Sequence, residues 1–432
     1  MVVSEPYTTE IATQQLPLLQ RHLHYLQQVS PHYRTLFQQA GFCADEFHSM
    51  TDLTTLPLTS KGDLTEHNRD FLAVTAEQVV DICQTSGMTG NPVTIWQTEN
   101  DLQRLARNEQ LAFLAAGIVN TDRVLIGAAL DRVFMAGLAY FLGLRQIGAT
   151  AIRAGSGQPG LVAELICQQR PNVLVGVPSL LLLVAQQLRQ RGENPAELGI
   201  DKLICIGEPI RNDDLSLSPL GEALQEHWAT QVLGTYASTE MATAFADCSS
   251  GCGGHLLPEL VILEILDNDG LPLPVGEVGE VVVTPLGIEG TPLLRYRTGD
   301  IARLHPDPCR CGRKTPRLGP ILGRRAQMLK CRGTTLFPAT ISSVLQGLNG
   351  IQGHYLEVYS EFDLSDRLRV VVGCSDPDLS VATVAASIAA KTRVKPEVIL
   401  VTPEEINSKT IRPELRKPVT FFDYRNGGKN EE

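Results

Sequence analysis

The run Thr85-Ser86-Gly87-Met88-Thr89-Gly90-Asn91-Pro92 packs hydroxyls and glycines so densely that backbone N–H groups and side-chain oxygens can converge on one anion. Glycine allows the tight backbone this needs, and successive N–H groups curled around a hollow bind phosphate oxygens. The run lacks the Gly-Lys-Ser/Thr ending of a P-loop, so it is not that kind of nucleotide site. Alone, such a run is more often just a loop. A second cluster comprises Cys248 and Cys252, within Asp247-Cys248-Ser249-Ser250-Gly251-Cys252-Gly253-Gly254-His255, together with Cys309 and Cys311. Two close thiol pairs on Gly-rich loops can supply four soft ligands in a tetrahedron, a set that favours zinc. Unligated thiols are the bland alternative. The other cysteines lie apart, mostly in apolar surroundings, and read as small buried hydrophobes.

Positioning these groups takes more than one domain. At 432 residues, with 43% hydrophobic and 20% charged, the chain is long enough for two or three domains with substantial cores. The net charge of −11 argues against a nucleic-acid or anionic-membrane binder, but leaves room for a local basic pocket. Arg295, Arg297, Arg324, Arg325, Lys330 and Arg332 form such a group in sequence. The first residues show no basic start followed by an apolar run, and no stretch approaches the roughly 18 apolar residues of a membrane span. The expectation is a cytoplasmic protein without a disulfide framework.

Residues from about 5 to 80 read as helical with irregular joins. From about 120 to 210, short apolar strands (Arg123–Ala128, Val173–Val177, Leu203–Gly207) alternate with longer helical stretches, the pattern of parallel βαβ units. Strand-and-turn text follows, as in Glu280-Val281-Val282-Val283-Thr284, and predicts a small β-rich subdomain over about 245–320. A boundary falls near Gly323. Beyond it the order strand (Met328–Cys331), helix (from Pro338), two strands (His354–Ser360, Leu368–Cys374), helix (Leu379–Thr392) and strand (Glu397–Val401) fits a small α+β module. The predicted fold class is α/β, with a large N-terminal domain (1–322) and a small α+β C-terminal domain (323–432).

Five segments in register carry a family resemblance. The run from Thr85 to Pro92 resembles the phosphate loop of the adenylate-forming ligase superfamily. Tyr236-Ala237-Ser238-Thr239-Glu240, Tyr296-Arg297-Thr298-Gly299-Asp300, Ile206-Gly207-Glu208-Pro209 and the hinge-like stretch from Gly323-Arg324 through Arg332-Gly333 to Phe337-Pro338 resemble its other motifs. The phrasing of the later segments is most similar to the phenylacetate–CoA ligase branch. The likeness spans about residues 30 to 425.

The resemblance implies ATP-dependent joining of a small carboxylic acid to coenzyme A through an acyl-adenylate. Bringing a carboxylate onto the α-phosphorus of a polyanionic nucleotide meets charge repulsion, so catalysis rests on positioning and charge neutralisation. By resemblance, Thr85, Ser86, Gly87, Thr89 and Gly90 cradle phosphates, Glu240 holds Mg2+ and Thr239 offers a hydroxyl to the α-phosphate. Asp300 would take both ribose hydroxyls, as two carboxylate oxygens can. Arg324 would reach the ribose or a phosphate. Tyr236 would stack on adenine, with Gly207, Glu208, Pro209 and Ser238 beside it. Lys417, in the ending Arg416-Lys417-Pro418 to Arg425, would bridge carboxylate and phosphate in the transition state. Lys409 is its rival.

The acid pocket would draw on Phe134, Tyr140, Phe141, Val177, Pro178 and Ala237, with Tyr236 and Ser238, a lining that suits a flat, mainly apolar acid such as a benzoate or arylacetate. No charged residue in that set is committed to an amino group. The cysteines would hold a structural zinc, with Cys252 or His255 as the fourth ligand. Met88, Asn91 and Ala326 depart from the family pattern, and a degraded nucleotide-binding relative without catalysis is one alternative. A stand-alone adenylation enzyme that loads a carrier-protein thiol is another. A homodimer is common in the family.

Overall fold

The structure is a computed structural model that describes residues 9–85, 92–331, 334–362, 365–412 and 418–425. The chain folds as two units, Met1–Ile321 and Leu322–Glu432. In the first unit, helix α1 (Thr9–Val29) buries Leu19, Leu23 and Leu26, one stripe at helical spacing. Helix α2 (Pro31–Ala40) starts at a Ser30 cap with Pro31 behind it and ends on Gly41 at φ 63°. After α3 (Lys61–Glu66), strands β1 (Asp81–Gln84) and β2 (Thr94–Gln97) pair antiparallel, and α4 (Glu99–Ala115) begins at a Thr98/Asp101 capping box.

Strands β3 (Arg123–Gly127), β4 (Thr150–Arg153), β5 (Val173–Gly176), β6 (Lys202–Ile206) and β7 (Gln231–Ser238) pair in parallel in the order β4-β3-β5-β6-β7. Helices α5 (Met135–Ile147), α6 (Pro159–Gln169), α7 (Pro178–Gln190) and α8 (Pro219–Trp228) cover them. Alternation along the strands sorts the two faces. Val124, Ile126, Val173, Val175 and Ile204 share one cluster with Phe113, Tyr140 and Leu144 of α4 and α5. Leu125, Leu174, Leu203 and Cys205 face α6, α7 and α8 on the other side.

The expected β-rich piece over 245–320 is two things. Strands β8 (Thr243–Asp247), β9 (Gly254–His255), β13 (Leu304–His305) and β14 (Arg317–Leu318) extend the large sheet antiparallel, in the order β13-β14-β9-β8-β7. Only β10 (Val261–Leu266), β11 (Gly279–Pro285) and β12 (Tyr296–Ala302), antiparallel to one another, form a separate layer. Its Val261, Leu263, Val281 and Val283 pack in one core with Leu19, Leu23 and Phe37 of α1 and α2. Cross-strand pairing joined segments that the chain order had grouped differently.

In the second unit, Leu329–Cys331 pairs with Thr334–Leu336, and a sheet runs Glu397–Val401, Ser365–Cys374, Ile351–Phe362, Phe421–Asp423. Helices Pro338–Gln346 and Val381–Thr392 close its core through Ile341, Leu345, Val384 and Ile388. The helix Pro403–Thr410 and the strand Phe421–Asp423 were not expected from the sequence, being short and weakly patterned.

Candidate functional site

Strand β7 changes partner along its length, parallel to β6 up to Thr235 and antiparallel to β8 from there on. At that change the Tyr236 hydroxyl donates to Asp300 Oδ2 on β12 at 2.8 Å. Burial, and then the Asp300 carboxylate, push the phenol pKa well above its ordinary value, so Tyr236 stays a donor. Its ring stacks against Phe245 at 6.2 Å and 24°. Beside it the buried Tyr296 donates to Glu240 Oε1 at 3.2 Å. Four residues from two distant motifs thus meet through two hydrogen bonds.

The turn that carries Thr239 and Glu240 is held from below. Ala242 has φ 44°, a strained value for a residue with a Cβ. Arg104 of α4 fixes it, donating through Nη1 to Ala242 O at 2.8 Å, through Nη2 to Leu260 O at 2.6 Å and Thr243 Oγ1 at 3.0 Å, and through Nε to Leu286 O. Burial lowers the Arg104 pKa to about 10, which leaves it charged at neutral pH. Sequence reasoning missed this residue. A signal existed: Asp101, Arg104 and Asn108 make a buried polar stripe on α4 where an apolar one is the rule.

Two arginines of the basic group read from the sequence are engaged with carboxylates. Arg295 is buried, with Nη2 and Nε on the Glu264 carboxylate at 2.9 and 3.0 Å and Nη1 on Leu56 O at 2.7 Å. Arg297 places Nε 3.0 Å from Glu280 Oε2. Both neutralise buried carboxylates of the β10–β12 layer and fasten it, because an enclosed carboxylate needs a partner more than an exposed phosphate does.

Of the hydroxyl-rich loop, Thr85 and Pro92 are described; Ser86, Gly87, Met88, Thr89, Gly90 and Asn91 lie outside the described residues. Thr85 closes its neck, donating N–H to Val93 O at 3.0 Å and accepting Val93 N–H on Oγ1 at 3.0 Å. The β1–β2 hairpin therefore presents the loop. Gln84 N–H donates to Val133 O at 2.8 Å. Arg132 and Val133, at φ 56° and 52°, are consecutive left-handed residues just before Phe134 and α5.

Cys248 Sγ lies 3.5 Å from Cys309 Sγ, and Cys311 Sγ 3.5 Å from His255 Nε2. All four ligand atoms lie within 4.8 Å of one another. Thr315 Oγ1 meets His255 Nδ1 at 3.1 Å, which orients the ring with Nε2 toward the thiols. Burial, reinforced by Arg313 and Arg317, lowers the imidazole pKa to about 4 and keeps it neutral. Between the two possible fourth ligands the geometry brings His255. Cys252 is outside the group, its thiol directed to Ser250 O at 3.1 Å because Gly251 and Gly253, both at positive φ, turn the loop away. Three thiols and one imidazole are a zinc-type donor set.

Residues 20–288 match the family model "AMP-binding enzyme". A phenylacetate-coenzyme A ligase of Thermus thermophilus is 31% identical over 83% of this chain and 80% of its own length. The corresponding Escherichia coli ligase is 31% identical over 81% and 79%. The chain belongs to the AMP-binding enzyme family. Its likeness to these ligases over most of both chains makes this AMP-binding enzyme an AMP-forming acid–thiol ligase. A solved 2-hydroxyisobutyryl-CoA ligase shares the fold, with a TM-score of 0.84 at 22% identity over 98% of this chain and 93% of that one. No helix of the described residues is long and apolar enough to cross a membrane.

The remaining expected residues of this AMP-binding enzyme fall in three places. Gly207, at φ 74°, begins the turn in which Glu208 accepts Ser179 N–H and Oγ–H at 3.0 and 2.9 Å, so Glu208 caps the start of α7. Pro209 follows in that turn, Val177 and Pro178 lead into the same helix, and Ser238 Oγ accepts Met241 N–H at 3.4 Å. Tyr140, Phe141 and Val177 all adjoin the cluster under α4 and α5, with Arg153 5.6 Å above the Phe141 ring. Ala237 is exposed on β7, and Phe134 precedes α5. Arg324 lies in the second unit and is exposed; Ala326 sits in a 3-10 turn there. Lys417 lies outside the described residues, while the rival Lys409 sits 4.9 Å over the Phe422 ring.

Proposed function

We propose that this ligase activates a flat aromatic acid as its acyl-adenylate and passes the acyl group to coenzyme A. The observation that carries the reading is the Tyr236–Asp300 hydrogen bond, with Tyr296–Glu240 beside it. It gathers a ring able to lie on a base, a carboxylate suited to ribose hydroxyls and a carboxylate suited to a metal–triphosphate. In the first step a substrate carboxylate oxygen bonds to the α-phosphorus and pyrophosphate leaves. In the second a thiol sulfur bonds to the acyl carbon and AMP leaves. Asp300 and Tyr236 would hold the nucleoside, Thr239 and the loop from Ser86 to Gly90 the phosphates, and Lys417 the charge that builds between carboxylate and phosphorus. A bound Mg2+ on Glu240 would neutralise phosphate charge. The phenylacetate ligases among the relatives and the apolar lining around Tyr140 and Phe141 support an aromatic acid. A structural zinc on Cys248, His255, Cys309 and Cys311 would tie β8 and β9 to the loop after β13.

The test is ATP–pyrophosphate exchange across benzoates, arylacetates and short aliphatic acids, followed by thioester analysis with coenzyme A. Exchange led by aryl acids, with a free thioester, is the expected result, and Lys417→Ala should lower exchange about 100-fold or more. Exchange without a free thioester would redirect the acyl group to a carrier-protein thiol. Nucleotide binding with no exchange for any acid would end the catalytic reading. Metal analysis should find about one zinc per chain, lost in Cys309→Ser.

A further inference from the structure

Glu109 is the buried charge for which neither the fold nor the reaction described above has a use. It sits on α4, 5% exposed, and lines a small cavity with Phe113, Tyr140, Ile204, Thr235 and Asp247. Among the described residues its hydrogen-bond donor is Asn108, from Nδ2 to Oε1 at 3.0 Å. Asn108 is itself fixed, since its Oδ1 accepts Ala244 N–H at 3.2 Å. A carboxylate has about four acceptor positions, so this one has acceptor capacity left for a group entering the cavity. Asp247 on the same cavity is the contrast. Its Oδ2 accepts Arg211 Nε at 2.9 Å and Gly234 N–H at 2.8 Å, and its Oδ1 accepts Gly253 N–H at 2.7 Å.

Glu109 is also held in place. A Cβ added at Gly143 would come within 2.4 Å of Glu109 Cβ, so α5 crosses directly over this residue and leaves the side chain little choice of direction. The cavity has room for about one water-sized group. It adjoins the expected acid pocket. Tyr140 belongs to both, and Thr235 lies on the same face of β7 as Ala237, two residues earlier. Burial pushes the Glu109 pKa up to about 7, with Asn108 opposing, as a carboxylate short of partners requires.

We propose that Glu109 reads a hydrogen-bond donor, a hydroxyl or primary amino substituent, at the far end of the acid. The inference rests on the aromatic-acid reading and narrows it. The ring would lie between Ala237 and Tyr140, and the substituent would fill the cavity and complete the carboxylate's bonding. A site built to bond such a group rejects the analogue lacking it, because its own buried polar atom is then left unpaired. This adds a buried carboxylate to the mainly apolar pocket expected from the sequence. The signal lay on α4, outside the segments that carry the family likeness.

The experiment compares matched benzoates and arylacetates bearing hydroxyl, amino or methyl at one ring position, the methyl being nearly isosteric but unable to donate. The protein should favour hydroxyl or amino over methyl by about 10- to 100-fold in kcat/KM for exchange. Glu109→Leu should bring that ratio to within about twofold, largely by losing the donor-bearing acids while retaining exchange with the methyl acid. Glu109→Gln, which keeps the volume and one acceptor, should retain part of the preference and serves if the leucine variant does not fold. A preference unchanged in both variants, or a wild-type protein that favours methyl, overturns the proposal. If the wild-type protein exchanges with no acid, the catalytic reading fails separately. Calorimetric binding of the same acids to wild type and Glu109→Gln then decides: tighter donor-bearing acids, weakened by the substitution, support the Glu109 assignment, and equal or absent binding overturns it.

Discussion

Arg295 and Glu109 are both ionisable and both enclosed, at 2% and 5% exposure, yet the fold treats them oppositely. Arg295 meets Glu264 with two nitrogens and Leu56 O with the third, so a strand of the β10–β12 layer is bolted to the segment before α3. Among the described residues Glu109 receives one bond, from Asn108, and it faces a cavity. Removing a charge from water costs several kcal/mol unless partners replace the water. Where they do, the charge is a fastener; where they do not, the fold bears a cost that a ligand can offset. Burial alone therefore does not distinguish a site from a joint. The number of partners does.

The comparison can be broken most directly at the joint. Arg295→Met leaves Glu264 enclosed without its guanidinium and should cost about 3–5 kcal/mol, read as a shift in the denaturant midpoint. A loss below about 1 kcal/mol would show that the pair does not fasten the layer. The next effect has the opposite sign. The Glu109 carboxyl, raised from 4.5 to about 7, holds its proton in the folded chain after the unfolded chain has lost it. The folded state thus loses stability as pH rises from 4.5 through 7. Glu109→Gln removes that dependence. Relative to wild type it should gain up to about 3 kcal/mol between pH 4.5 and pH 8, by parallel urea titrations. Equal pH profiles would mean that Glu109 is paired after all.

Arg104 stands between the two cases, a buried charge satisfied wholly by neutral oxygens. Arg104→Met takes the guanidinium from the carbonyls of Ala242, Leu260 and Leu286, of which Leu260 O still accepts Leu286 N–H, and should cost about 2 kcal/mol, with a fall in exchange kcat as the turn bearing Glu240 loosens. Lost stability with unchanged kcat would confine Arg104 to the scaffold. The smallest effect belongs to Tyr236→Phe, which removes the bond to Asp300 and should raise KM for ATP about tenfold, or about 1.4 kcal/mol. An unaltered KM would detach that hydroxyl from nucleotide binding.

Local pattern by itself determined much of this protein. Short continuous apolar strands between longer helices specify a parallel sheet covered on both faces, and the strand Glu397–Val401 appears with the bounds read from its residues. The family resemblance pointed to Tyr236, Glu240 and Asp300, and the structure brings these motifs together through the Tyr236–Asp300 and Tyr296–Glu240 bonds. Which charges are already engaged was decided only in three dimensions. Arg295 and Arg297 read as part of a basic group until Glu264 and Glu280 took them, and Cys252 read as one of two candidate fourth ligands until two left-handed glycines turned it aside. Glu109 lies in none of the motifs that carry the family likeness. Its meaning comes from the approach of α5 at Gly143 and from how few protein donors reach it among the described residues, and the donors around a carboxylate are a property of neighbours that the chain order does not record.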